Sequence, residues 1–281
     1  MVKPVNSDFH KIKTVCLTLG PYRNLTTLNA AIISLHPTCQ VLNHASDRIL
    51  GKCPGKMLTE YSDKNFKRFV EFAVLISGGG KRGRYGGSIT LSHAFDHPIV
   101  RGKYQSRYGE KLVKEGIECL FWKESMRLTN YIREKNIDLA DLILKNSKLK
   151  FFMPIRNPLD CTSSNLKSGH SKYFRALVNL SVENLLECII KEIRWFLDMR
   201  KKFPERFFCY VENEFSEGLL KNIAGFLQIN ADKQWIADSL DCFRLIKPYA
   251  YEPSLKNHYH KTLKLYLSKY PLELDKLASL A

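Results

Sequence analysis

The chain has 281 residues, 44% of them hydrophobic, and a formal net charge of +16. This length and apolar content suit one domain with a sizeable core, and no apolar run approaches the roughly 20 residues that cross a membrane. Residues 1–13 lack the apolar run of a signal peptide, so we expect a cytoplasmic protein. The charge favours an anionic partner, such as a nucleotide, an acidic acceptor, a membrane surface or nucleic acid, without choosing among them.

Hydrophobic patterns predict strands and helices that alternate along the chain. In chain order they are a strand at 13–19, a helix at 26–35, an apolar run at 40–43, a helix at 62–76, a strand at 118–122, one or two helices within 125–146 broken near Asn136, a strand at 149–155, a helix at 181–202, a strand at 206–211 and a helix at 217–227. This alternation predicts an α/β fold in which a mainly parallel sheet is flanked by helices on both faces.

A glycine-rich segment, residues 77–88, interrupts the pattern. It holds six of the fifteen glycines and no periodic apolar residues, which predicts a mobile surface loop. Such a loop either covers a ligand or simply connects two elements.

The loop after the first predicted strand has the character of an anion site. It runs from Gly20 to Thr27 and leads into a helix, whose first N–H groups and dipole attract negative charge. Arg23 adds a permanent charge, and Thr26 adds a hydroxyl. Compared with the triphosphatase pattern G-x-x-x-x-G-K-[ST], Leu25 replaces the second glycine and Thr26 replaces the lysine.

A second candidate anion site follows the strand at 149–155. Arg156 stands at the strand end and Ser164 lies in the helix that follows, so together they offer a charged fork and a hydroxyl to a phosphate. Asp160 is expected to cap or pair rather than to bind the ligand. Triphosphatases carry an acidic residue at such a strand end to hold magnesium, and the cation of Arg156 opposes a metal there.

Together the two loops resemble those of sulfotransferases that use 3′-phosphoadenosine-5′-phosphosulfate (PAPS). The first resembles the family's G-x-P-[RK]-S-G-T-[TS], with departures at Pro21, Tyr22, Asn24 and Leu25, and the second resembles R-[ND]-P-x-D followed by a serine eight places after the arginine. The resemblance covers about 13–226. It implies a P-loop-like three-layer fold, which we expect to form one domain over 1–281, with 227–281 an extension that covers the donor or acceptor site.

The resemblance also implies roles for individual residues. The donor-binding residues would be Gly20, Arg23, Asn24, Leu25, Thr26 and Thr27 for the 5′-phosphosulfate, and Arg156 and Ser164 for the 3′-phosphate. Arg23 would in addition stabilise the leaving phosphate. The family needs no metal, so PAPS and its product adenosine 3′,5′-bisphosphate (PAP) are the expected ligands.

The loop after the strand at 118–122 resembles the family's K-x-[PS] segment. Lys123 would approach the sulfuryl group and Glu124 would face the acceptor as general base. His93, in a segment similar to the histidine segment of the cytosolic enzymes, is the other candidate base, while His97 is read as incidental. The alternative for Lys123 and Glu124 is a salt-bridged loop.

Two other functions remain open from the sequence. One is a P-loop kinase or other nucleotide-binding enzyme, and the other is a basic polyanion-binding module without catalysis. For a sulfotransferase the acceptor would be a carbohydrate, lipid or small molecule, with nucleic acid not expected. The acceptor pocket is expected in loops 44–60, 77–107 and 248–270, and the run 254–259 is a candidate for closing over the donor.

Overall fold

A computed structural model describes residues 9–243 and 250–281. Within these ranges one sheet contains the strands β1 (Thr14–Thr18), β2 (Cys39–Asn43), β3 (Gly87–Ser88), β4 (Cys119–Lys123), β5 (Leu149–Ile155) and β6 (Phe207–Val211). The strand order is β3-β2-β4-β1-β5-β6. All neighbouring strands are parallel except the β2–β3 pair, which is antiparallel.

Helices connect the strands over the same described ranges. They are α1 (Thr26–Ser34), α2 (Ser46–Ile49), α3 (Lys56–Thr59), α4 (Asp63–Ser77), α5 (Pro98–Tyr108), α6 (Met126–Glu134), α7 (Leu139–Lys145), α8 (Pro158–Lys167), α9 (Val182–Lys202), α10 (Glu217–Leu227), α11 (Lys233–Cys242), α12 (Pro253–Leu267) and α13 (Pro271–Ala278). None of these helices has the length and apolar character needed to span a bilayer.

The helices lie in layers on the two faces of the sheet, because successive strand residues point to opposite sides. In β5, Phe151 packs in a core with α4, α8, α9 and α12, whereas Phe152 packs in a second core with α1, α10 and α11. This arrangement confirms the predicted α/β, three-layer fold with a mainly parallel sheet.

Several helix ends follow the local sequence signals. Ser62 caps α4 by accepting a hydrogen bond from the N–H of Asn65, and Ser181 caps α9 in the same way through Asn184. The predicted break near Asn136 separates α6 from α7, and Asn136 itself has a left-handed φ of 48°. Asparagine tolerates that conformation better than most residues do.

The glycine-rich segment, which the sequence predicts to be a mobile surface loop, contains a short strand. Gly87 and Ser88 form β3 at the sheet edge, and Gly80 bridges to Gly87. A Cβ on Gly87 would lie 1.8 Å from the carbonyl oxygen of Gly79, at a φ of +139°. The glycines therefore permit a close backbone approach that attaches the segment to β2.

Candidate active site

The loop after β1 lies at the carboxyl edge of the sheet, where a parallel sheet forms its ligand crevice. Gly20 has a φ of +90°, and a Cβ there would lie 2.3 Å from the sulfur of Met153, so the turn requires glycine. Arg23 and Leu25 also adopt left-handed φ values, of 62° and 59°. The chain then enters α1 at Thr26, whose first turn offers backbone N–H groups to an anion.

The two predicted anion loops are joined to each other by hydrogen bonds. Nε of Arg23 donates to Oγ of Ser164 over 2.7 Å, and the backbone N–H of Arg156 donates to Oδ1 of Asn24 over 2.8 Å. Nδ2 of Asn24 is buried without a hydrogen-bond partner among the described residues. Because these contacts cross from β1 to the neighbouring β5, the fold brings together residues that are more than 130 positions apart in sequence.

A cavity of about 630 Å³ opens over these loops. The predicted donor-binding residues that line it are Arg23, Leu25, Thr26, Thr27 and Arg156. Gly20, Asn24 and Ser164 do not line it and instead hold the loops in place. As expected, Asp160 pairs: its Oδ2 lies 3.3 Å from Nη2 of Arg156.

Lys123, at the end of β4, reaches the same cavity. Its side chain is buried, and Nζ lies 2.8 Å from Nε2 of His44. Burial lowers the pKa of Lys123 to about 8, an effect that Glu124 opposes and Arg23 reinforces. A negatively charged group entering here would gain an ammonium held in a low-dielectric setting.

His44 directly follows β2 and lies between Lys123 and Glu124. Its Nδ1 is 3.6 Å from Oε1 of Glu124, and its own backbone is left-handed with a φ of 56°. The backbone N–H donates to the carbonyl of Lys123 over 2.7 Å, which attaches the main chain of His44 to the end of β4. Burial and then the charge of Lys123 lower the pKa of His44, while Glu124 raises it. The ring is therefore neutral near pH 7.

Glu124 does not face the cavity, which differs from the sequence-based expectation. Its side chain is completely buried and is absent from the cavity lining. Oε1 accepts from the hydroxyl of Tyr22 over 3.4 Å, and Oε2 accepts from the N–H of Ser46 over 3.1 Å. The carboxylate thus lies behind His44, because the tight turn after β4 directs it into the protein.

His93 lies at the outer part of the cavity. Its side chain is 80% exposed, and its Nδ1 is 3.2 Å from Arg82 and 3.3 Å from Asp96. His97 also lines the cavity, but its Nδ1 accepts from the N–H of Ile99 and caps α5. Both histidines are therefore engaged by neighbouring residues.

Sequence reasoning did not single out His44, Arg127, His170 or Tyr173, which are among the lining residues. One signal was present for His44, which follows an apolar strand directly and so stands at the carboxyl edge of the sheet. The others come from α6 and from the turn after α8, and no local pattern marks them. Of the expected acceptor loop 248–270, residues 248 and 249 lie outside the described part of the chain, and the run 254–259 is not among the lining residues.

No cluster of three or more potential metal-ligating His, Cys, Asp or Glu side chains occurs in residues 9–243 and 250–281. The cavity is instead lined by cations, including Arg23, Lys123, Arg127 and Arg156, with Glu212 as a buried carboxyl group. Such a lining suits an anionic ligand.

Comparison with known proteins found similarity at the level of solved structures. No protein-family model and no curated protein matches the chain. The structures that resemble this chain include sulfotransferases. Mouse sulfotransferase SULT7A1 complexed with PAP has 10% identity and a TM-score of 0.46, and the match covers 96% of this chain and 90% of that one.

Two bacterial sulfotransferase structures show a similar level of similarity to this chain. The sulfotransferase from Alicyclobacillus acidocaldarius has 12% identity, a TM-score of 0.43 and coverage of 94% of this chain and 95% of that one. The sulfotransferase domain from the curacin biosynthetic pathway has 14% identity, a TM-score of 0.42 and coverage of 96% and 97%. With each TM-score below 0.5, the functional proposal rests on the side chains of the cavity.

Proposed function

We propose that the protein transfers a sulfuryl group from PAPS to an acceptor hydroxyl or amine. The observation that carries this proposal is the pair of joined anion loops, in which Arg23 contacts Ser164 and Arg156 contacts Asn24 at one edge of a cationic cavity. Two separate arginines next to two loop sites match a ligand with two separate phosphate groups. PAPS and PAP have such groups at the 5′ and 3′ positions.

Residues of the first loop handle the charge that develops during transfer. In an in-line displacement, negative charge grows on the leaving phosphate oxygen, and fixed donors there lower the barrier. Arg23, the first turn of α1 and the hydroxyls of Thr26 and Thr27 supply those donors. Arg156 holds the 3′-phosphate and so contributes affinity rather than chemistry.

His44 is the residue that best fits the role of general base. It lines the cavity with a lowered pKa, and its Nδ1 faces Glu124, so the neutral ring carries its proton on Nδ1 and a lone pair on Nε2. Since Lys123 contacts that Nε2, the lone pair becomes available to an acceptor when the ammonium turns toward the sulfuryl oxygens. Glu124 is then a positioning residue, and the direct base roles considered for Glu124 and His93 are replaced.

The alternatives find less support in the cavity. A P-loop kinase needs a loop lysine and an acid to hold magnesium, whereas this chain has Thr26 and Arg156 at those places. A polyanion-binding module would not need a buried lysine in contact with a histidine that itself lies against a carboxylate. No observation favours either of them over transfer.

The donor assignment is tested by binding PAP and comparing it with adenosine 5′-monophosphate, which lacks the 3′-phosphate. PAP at 100 times its Kd should stabilise the fold by about 2.7 kcal/mol and raise the thermal midpoint by several degrees. In Arg156→Ala, PAP affinity should fall at least about 30-fold while affinity for the monophosphate changes by less than about threefold.

Arg156→Lys provides a milder variant if Arg156→Ala folds poorly, because it keeps a positive charge and loses only the planar fork that contacts a phosphate through two N–H groups. This variant should also weaken the binding of PAP more than the binding of the monophosphate. The absence of any shift with PAP, or an equal loss for both nucleotides, would reject the donor assignment.

A further inference from the structure

A second cavity, of about 390 Å³, adjoins the first. We call it the side cavity. The two share Arg84, Arg127 and Tyr173, and from there the side cavity continues to Lys172 and Arg175. It therefore begins next to the proposed transfer site and leads away from the donor loops, which is where the rest of an acceptor would extend.

The side cavity keeps a positive charge after its internal ion pairs are counted. Asp47 serves two arginines at once, at 3.0 Å from Nε of Arg84 and 3.4 Å from Nη1 of Arg127, so one of those charges is left unbalanced. Arg175 is neutralised by Glu134 at 2.5 Å.

Lys172 adds a further charge. It forms no ion pair with the described residues and is placed with its Nζ 5.5 Å from the ring centre of Tyr173. Arg127 is held firmly against the same tyrosine, since its Nη2 donates to the hydroxyl of Tyr173 over 3.0 Å and its Nη1 to Oγ of Ser46 over 3.2 Å. Two unbalanced cations, one of them on a fixed guanidinium, favour an anionic group.

Aromatic rings stand where the two cavities meet. The ring of Tyr173 packs 5.2 Å from that of Tyr22, and the ring of His170 lies 5.2 Å from Tyr22 and 6.0 Å from Tyr173. All three residues line the main cavity, and Tyr173 lines both. Flat rings present an apolar face and a polar edge, which suits the C–H face and the hydroxyls of a sugar ring.

We propose that the side cavity binds the carboxylate or sulfate group of an acidic saccharide, whose hydroxyl is thereby presented to His44. This inference rests on the proposed function and names its acceptor class. The cationic pair of Lys172 and Arg127 would recognise the anionic group, and the rings would hold the sugar between the two cavities.

The test compares two forms of one probe. The first is a hexasaccharide that alternates glucuronate with N-acetylhexosamine, and the second is the same hexasaccharide with its carboxylates reduced to alcohols. Dissociation constants are measured calorimetrically with and without saturating PAP, for the unmodified protein and for Lys172→Glu. The control is Lys261→Glu, because Lys261 is exposed on α12 and lines neither cavity.

We expect the acidic form to bind at least about threefold more tightly than the reduced form, a preference that Lys172→Glu removes and Lys261→Glu keeps. Equal binding of the two forms, no binding of either, or an unchanged preference in Lys172→Glu would overturn the inference. Tighter binding of an acidic tyrosine-containing peptide than of the saccharide would likewise overturn it. PAP binding is measured separately and does not depend on how the saccharides bind. A failure of the proposed donor site would therefore appear as a loss of PAP binding, whereas a failure of this inference would not.

Discussion

His44, which lines the main cavity, is held in an unusual backbone conformation. Its φ of 56° and that of Ala45, 75°, are both left-handed, which costs on the order of 1–3 kcal/mol for each non-glycine residue. The indole of Trp122 donates to the carbonyl of His44, and the N–H of Ser46 is held by Glu124. Neighbouring residues thus enforce a conformation that aims the imidazole at Lys123.

The pH dependence of turnover distinguishes the candidate bases. If His44 accepts the proton, kcat/KM should fall as the pH drops through the pKa of His44, which lies below the usual value of about 6.5. Glu124 raises that pKa, so Glu124→Gln should move the acidic limb to still lower pH while activity persists. His44→Gln should lower kcat/KM by about 100-fold or more, whereas His93→Ala should change kcat/KM by less than about threefold.

The measurement is a pH–rate profile for each variant with PAPS and an acceptor that turns over. A Glu124→Gln protein that is as inactive as His44→Gln at every pH would identify Glu124 as the base. Full activity of His44→Gln would exclude His44.

At the scale of elements, the glycine-rich segment shows how backbone geometry attaches a loop to the sheet. The N–H of Ser88 donates to the carbonyl of Gly79 over 2.6 Å, which closes the segment on itself beside β2. The segment then carries Arg84 to Asp47, 3.0 Å away, at the side cavity. A change that reopens this closure should therefore disturb the proposed acceptor side before the proposed donor loops.

Two alanine substitutions of glycine should have opposite effects on stability. Gly87→Ala introduces a Cβ against the backbone of Gly79 at a left-handed φ, and should lower the free energy of unfolding by about 1–3 kcal/mol. Gly102 lies inside α5, where a Cβ would meet no atom within 4 Å. Gly102→Ala should therefore raise the free energy of unfolding by about 0.5–1 kcal/mol. Chemical denaturation measures both, and equal effects of the two changes would contradict the assigned backbone geometry.

At the scale of the whole molecule, the C-terminal helices belong to the main core. Tyr259, Leu263 and Leu267 of α12 and Leu277 of α13 are buried in the same cluster as β1 and β5. The segment also reaches the loop after β5, because Nδ2 of Asn157 donates to the carbonyl of Leu280 over 2.7 Å. The run 254–259 is thus part of a packed helix, and its expected role as a cover for the donor has no counterpart in the cavity lining.

Two leucines on α12 test whether this helix supports the whole fold. Leu263 is 1% exposed and Leu265 is 68% exposed, although they are two residues apart. Leu263→Ala should lower the free energy of unfolding by about 2–5 kcal/mol, whereas Leu265→Ala should change it by less than about 0.5 kcal/mol.

If 1–281 is one domain, as the sequence predicts, Leu263→Ala should shift a single unfolding transition. That transition should be the same when followed by fluorescence and by circular dichroism. Two separate transitions, with only one affected, would show that α12 and α13 unfold independently of the donor site.

Much of the fold follows from short-range pattern. Apolar runs of β character, such as 149–155, and helical periodicity, as at 181–202, predicted β5 and α9 to within a residue at each end. Such patterns are legible because a strand or helix buries one set of side chains at its own period. The sequence patterns predicted no helix or strand in 227–281. The three helices there are stabilised by packing on α9, α10 and the sheet, so no strong local sequence pattern marks them.

For the site, the sequence alone predicted which loops carry the candidate anion-binding residues, because a strand, a loop and a helix in that order place backbone N–H groups and an arginine at one edge. Only the tertiary structure decided the directions of the side chains around β2 and β4. The turn after β4 buries Glu124 and leaves Lys123 facing the cavity, while the parallel pairing of β2 with β4 brings His44 against Lys123. These contacts join positions 79 residues apart, and no local pattern records them.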